Sequence, residues 1–192
     1  MAPPPIPDDR LHFTDDDAAN RLNATDPMAL LIGFALDQQV PVQKAFTGPV
    51  VIRERLGTLD AAELAQMDQA RLEAAFRGPP AVHRYPAAMA ERIRALAAAI
   101  AREYNGDAAR VWTDATDAAD LRRRLAKLPG FGPMKVDGTF AVLAKRLGVR
   151  PEGWDAALPG HPTLGDVDSP EALAAYQSAK RAHKAAMRES GG

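Results

Sequence analysis

The chain has 192 residues, 24 Lys and Arg against 25 Asp and Glu for a formal charge of −1, and no cysteine. That length is enough to bury a core in one domain or in two intimate lobes. The lack of cysteine excludes disulfides, thiolate zinc sites and a cysteine-ligated iron–sulfur cluster, and the near-zero charge limits long-range attraction to polyanions.

Residues 1 to about 12 are proline-rich and read as a mobile arm. Their Met-Ala-Pro-Pro-Pro-Ile-Pro start has neither the basic end nor the apolar core of a signal peptide. No apolar stretch approaches membrane-spanning length either, so the expectation is a cytoplasmic, nucleoid-associated protein. Thr14 with Asp15-Asp-Asp17 signals a helix start. Further helices are predicted at about 27–38, 41–47, 49–56, 60–67, 69–76, 86–104, 107–112, 117–127, 133–147 and 169–188. Gly57, Gly78-Pro-Pro80, Asn105-Gly106, Gly130 and Gly148 punctuate them. No alternating β-branched run exceeds Val50-Val-Ile52, and alanine and leucine are heavily used, which favours an all-α fold. The stretch 148–168 is a Pro- and Gly-rich loop of a length often used for function. The ordered domain is expected over 13–188, with 189–192 as a disordered tail.

One turn stands out. Leu121, Leu125 and Leu128 recur at helical spacing before Leu128-Pro-Gly-Phe-Gly-Pro-Met-Lys-Val136, and Val136, Phe140, Leu143 and Leu147 recur after it. Gly130 and Gly132 permit φ > 0 and close approach of a ligand, and Pro133 suits the first turn of the following helix. Such a turn presents free N–H groups and a partial positive charge that can hold one phosphate of a nucleic acid backbone. Arg122, Arg123, Arg124, Lys127, Lys135, Lys145, Arg146 and Arg150 flank it against Asp137 alone. A basic segment localised in a neutral chain fits a phosphate footprint, the alternative being a solvated helix face.

These residues resemble the helix-hairpin-helix glycosylases of base-excision repair, whose fold carries a Leu-Pro-Gly-x-Gly turn. Leu30-Leu-Ile-Gly-Phe-Ala-Leu-Asp-Gln-Gln-Val40 looks like the early helix of the alkylation-repair branch, which ends in a Gln-Gln pair at the DNA. His83-Arg-Tyr85, the Ile93/Leu96/Ile100 helix and Tyr104-Asn-Gly-Asp107 follow in that branch's order. Gly132-Pro133 and Asp137 look like its Gly-Pro-Trp-Thr-Ala-Asp pattern, with Met134 in place of the Trp. The chain also resembles short actinobacterial-type proteins of the same superfamily. The resemblance runs from about Met28 to about Val167 and implies an all-α, two-lobed bundle acting as a monomer on double-stranded DNA, away from membranes. It implies no cofactor, and leaves open a monovalent cation at the hairpin carbonyls. Gly130, Phe131, Gly132, Met134, Lys135 and Lys127 would meet DNA at the hairpin, and Gln38 and Gln39 would fill the gap left by an extruded base or pack at a helix end.

Excising a base builds oxocarbenium character on the sugar, so a carboxylate is needed near C1′. In the family it lies on a loop after the hairpin, which here offers Asp166 first, in Gly165-Asp-Val167, and Asp155 second. The alternative for Asp166 is helix capping. Trp154, Tyr85 and His83 are candidates for the base pocket, with packing as the alternative for the last two, while Trp112 reads as core. The histidines at 12, 83, 161 and 183 show no metal-ligand spacing. Bifunctional members form an imine through a hairpin lysine; counting from Leu128 that position is Met134. Lys135 is one step on, turned by about 100 degrees, and should address phosphate or solvent. The expectation is therefore a monofunctional DNA glycosylase. A non-catalytic hairpin DNA-binding protein and a helical interaction protein are the alternatives.

Overall fold

A computed structural model describes residues 9–191 and contains, among them, ten α-helices, one 3-10 turn and no strand. The helices are α1 (Asp17–Thr25), α2 (Pro27–Leu36), α3 (Val42–Leu56), α4 (Ala61–Gln66), α5 (Gln69–Arg77), α6 (Pro86–Glu103), α7 (Arg110–Thr113), α8 (Ala118–Ala126), α9 (Pro133–Lys145) and α10 (Pro170–Ser190). The 3-10 turn, Leu164–Asp166, lies between the last two. Most helices begin where a short polar side chain can take up an orphan N–H. Asp16, Asp26, Asp60, Asp68, Asp117 and Ser169 each accept one or two backbone bonds from the first turn that follows. Each such cap stabilises its helix by about 1 kcal/mol.

The architecture is organised around α2. Every residue from Met28 to Leu36 is buried, as expected of a helix that is apolar on all sides. It is enclosed by α1, α3, α6 and α9. Gly33 makes the approach of α3 possible, because a Cβ there would lie 2.5 Å from the Phe46 ring. Phe13 and Phe34 meet that ring edge-on. On one side α4 and α5 pack on α6; on the other, α8 and the 3-10 turn pack on α9. The turn sits hard against α9, since a Cβ at Gly165 would come within 2.7 Å of the Ala141 backbone.

Three boundaries differ from the sequence expectation. The helices predicted at 41–47 and 49–56 are one helix, α3, with Pro49 inside it. A proline there removes one helical bond, but Ala45, Phe46, Val50 and Ile52 are buried on both sides of it, and this continuous packing holds the helix together. The body also begins before residue 13: Leu11 is 1% exposed and its N–H donates to Asn20 O at 3.0 Å. The rest of the predicted arm, 1–8, lies outside the described residues. At the other end α10 continues to Ser190, past the predicted start of a tail at 189.

Candidate nucleic-acid interface and cavity

The hairpin forms between α8 and α9 as the leucine spacing predicts, with Leu121, Leu125, Leu128, Val136 and Phe140 all buried. Its turn is closed by Leu128 N–H to Leu125 O and Phe131 N–H to Leu128 O, both 3.1 Å. Gly130 has φ +82, whereas Gly132 is extended at φ −78, ψ 177 and caps α9. Only Gly130 therefore needs glycine for its backbone, which corrects the expectation for Gly132. No side chain caps α9 and Pro133 has no N–H, so the leading amides of α9 are left to solvent or to a ligand. Phe131, expected at the DNA, is only 5% exposed and belongs to the core. Met134, at 70%, is the exposed apolar side chain of the turn.

Beside the hairpin opens a cavity of about 600 Å³. Phe34 and Asp37 at the end of α2 form one wall, and Met134, Lys135 and Gly138 of α9 a second. The loop around His161 to Leu164 and the Tyr176, Lys180 and His183 face of α10 complete it. The volume lies within the range of small-molecule sites, about 300–1,000 Å³.

Asp37 is the carboxylate on this wall, and the motif reading passed over it as the residue before Gln-Gln. Among the described residues its side chain has no hydrogen-bonding partner. Burial pushes its pKa up, and the charges of Lys180 and Lys135 pull it partly back. Its position at the end of an all-apolar helix was the available signal. Lys135 lies across from it. Contrary to the expectation that it addresses phosphate or solvent, its Nζ donates to Ala35 O at 2.9 Å and to Gln38 Oε1 at 3.4 Å. The C-terminal end of α2 supplies the Ala35 carbonyl that draws the ammonium inward. Burial, with Arg92 nearby, lowers its pKa to about 8, against the opposite pull of Asp37.

The Gln-Gln pair divides. Gln38 is clamped: Arg92 Nη1 donates to its Oε1 at 2.6 Å, and its carbonyl lies 2.9 Å from His83 Nε2. Tyr85 N–H donates to His83 Nδ1, so Nε2 carries the proton and the ring is neutral, in line with burial lowering its pKa. His83 is thus a fully buried support for Gln38 and does not line the cavity. Gln39 is exposed, with φ +55. Tyr85 is 42% exposed, with the Arg84 guanidinium 5.3 Å from its ring. Trp154 also lies off the cavity: it packs on the core under Arg150, 4.8 Å from the ring centroid. Trp112 packs on the core as expected.

Both carboxylates nominated from the loop are placed elsewhere. Asp166 accepts from Thr163 N–H at 2.8 Å in a capping box and from Lys145 Nζ at 2.5 Å. Burial acts upward on it, but those two donors prevail and hold it below the ordinary carboxylate range. Ser169, not Asp166, caps α10, so the expected capping of that helix is not its role; Asp166 closes the capping box that Thr163 opens at the 3-10 turn. Asp155 is exposed and away from the cavity wall.

The basic flank is also smaller than its sequence suggests. Arg122 pairs with Asp137, and Arg123 and Arg124 with Asp120 at 2.9 and 2.8 Å. Asp137 additionally accepts from His161 Nε2 at 2.9 Å. Lys145 is tied to Asp166, leaving Lys127 exposed at the turn. The far half of α10 adds Lys180, Arg181, Lys184 and Arg188, all exposed. Among the described residues no cluster of His, Asp and Glu could hold a metal ion, and no helix is long and apolar enough to cross a membrane. No family model, curated protein or solved structure matches the chain.

Proposed function

We propose that the chain is a helix-hairpin-helix DNA-binding protein acting as a monofunctional DNA glycosylase, which extrudes a damaged base from duplex DNA into the cavity beside the hairpin. The observation that carries this reading is the juxtaposition of two features. A glycine turn opens an uncapped helix, and a cavity holding a carboxylate and two amines begins at the same turn. The turn suits a phosphate, because main-chain N–H groups grip it without reading sequence. The cavity suits a base taken out of the stack, which must be enclosed and then separated from its sugar.

Hydrolysis is expected without strand scission. Met134 has no amine, and the Lys135 amine is engaged with Ala35 O and Gln38. Incubation with lesion-bearing duplexes should leave abasic sites that break only on hot alkali. A covalent complex trapped by borohydride would instead point to Lys135 or the N-terminal amine as the nucleophile of imine formation. Unrelated duplexes should bind with similar affinities that fall steeply as salt rises.

A second reading is favoured by the engagement of Asp166 with Lys145 and Thr163. On that reading the hairpin binds DNA and no base is removed. Binding without excision across a broad lesion panel selects it.

A further inference from the structure

We propose that Asp37 is the carboxylate that serves the cavity, facing the cationic sugar of an extruded nucleotide and taking the proton of the water that attacks it. The proposal rests on the glycosylase reading and names a residue that neither the loop spacing nor the hairpin motif indicates.

Three observations carry it. The first is position. Asp37 caps α2, the most deeply buried helix, and the chain beyond it is held by Gln38, itself clamped by Arg92 and His83. A side chain fixed on such a support keeps its aim without cost during a reaction. The second is the unmet demand of the group. Asp137 uses its oxygens on Arg122 and His161, and Asp166 uses its own on Lys145 and Thr163. Asp37 has no such partner among the described residues, and its half-buried carboxylate is left open to the cavity it lines. The third is its surroundings. Lys135 from α9 and Lys180 from α10 lie close enough to favour its charged form without bonding to it. Tyr176 and His183 of α10 and His161 of the preceding loop are the other titratable groups around the cavity.

The chemistry balances without a further reactant. The C1′–N bond breaks, its electron pair leaves on the base, and positive charge develops over C1′ and the ring oxygen. The Asp37 carboxylate and the negative end of the α2 dipole face that charge. Water adds its oxygen to C1′, one of its protons passes to Asp37 and then to solvent, and the departing base nitrogen takes a proton from solvent. A carboxylate made more basic by burial is a better acceptor for that proton.

The test compares excision of a lesion panel by the wild type, Asp37→Asn and Asp166→Asn, with DNA affinity and circular dichroism measured alongside. Asp37→Asn is isosteric and should keep fold and affinity while excision falls by about 100-fold or more. Asp166→Asn should keep excision within a few fold and melt at lower temperature. The acid limb of the pH–rate profile should lie above the ordinary carboxylate range, and Lys135→Met should move it further up by removing a neighbouring cation. That shift is read even if Asp37→Asn does not fold, and a merely structural Asp37 would leave the limb in place. Full excision by a folded Asp37→Asn, or a limb that does not move, overturns the proposal and leaves the glycosylase reading standing. A wild type that excises nothing across the panel overturns that reading, and the proposal falls with it.

Discussion

Gly130 and Gly132 stand two residues apart in one turn and answer to different demands. At Gly130 the backbone is left-handed and a Cβ would meet Arg92 Cδ at 2.9 Å, so Gly130→Ala should cost about 1–2 kcal/mol from the backbone alone. At Gly132 the backbone is ordinary and a Cβ would find nothing within 4 Å, so Gly132→Ala should melt like the wild type. If the turn grips phosphate, however, the added methyl stands where the ligand must approach. Gly132→Ala should then weaken duplex binding several-fold at unchanged melting temperature. Thermal melts and binding titrations of both variants separate the two roles. Unaltered affinity of Gly132→Ala would remove the hairpin from the interface.

At the scale of elements, α10 is the least supported helix. Leu173 is its buried residue, Gln177 exchanges two amide bonds with Gln43 at 3.1 and 2.8 Å, and everything from Ser178 to Gly191 is exposed. Its middle, from Tyr176 to His183, walls the cavity, and its far half carries a run of positive charge with Glu189 as the opposing residue. A helical extension without packing owes its persistence to alanine-rich composition and to whatever it meets. If the proposed DNA binding holds, α10 should reach phosphates beside the cavity, since the hairpin's own arginines are largely paired to Asp120 and Asp137. Replacing Lys184 and Arg188 by Ala should therefore lower the slope of log affinity against log salt by about 0.9 for each phosphate no longer neutralised. Titrations of one duplex at several salt concentrations measure this, and an unchanged slope would show that α10 stays clear of the DNA.

For the whole molecule, stability should follow pH through groups whose environments differ between folded and unfolded chains. Arg122 and His161 beside Asp137, and Lys145 and Thr163 beside Asp166, overcome burial and hold both carboxyls low, so their contribution is present above the ordinary carboxylate range and disappears on acidification through their lowered values. The hydrogen bond to Asp137 raises His161, so its contribution is full below 6.5 and is lost as pH rises through the raised value. Lys135 works the other way. Burial lowers it from 10.5 to about 8, so the folded state binds less proton than the unfolded chain between those values, and stability recovers as pH rises from about 8. Denaturant unfolding across this range should show a shallow minimum near pH 8. In Lys135→Met the recovery above it should vanish, and a recovery that persists would mean that the amine is not buried as described.

Much of this protein was legible in one dimension. The first helix follows from the Asp15-Asp-Asp17 signal, the turn from Leu128-Pro-Gly, and the central helix from the stretch predicted at 27–38, because caps, turns and periodicity are local properties of the chain. What neighbours impose was not legible. The expectation of separate helices at 41–47 and 49–56 divided α3 in two, since the burial that carries it across Pro49 is invisible to propensity. A rotation argument sent Lys135 outward, since the carbonyls that draw it inward belong to a helix a hundred residues earlier in the chain. The likeness of Gly165-Asp-Val167 to the family pattern favoured Asp166 and left Asp37 unweighed, because whether a carboxylate is already paired depends on which residues surround it in space. By itself the sequence determined the helices and the glycine turn; the packing of α2 against α9, with α10 closing the cavity beside them, decided which charged groups are paired, which line that cavity and which carboxylate stands there without a partner.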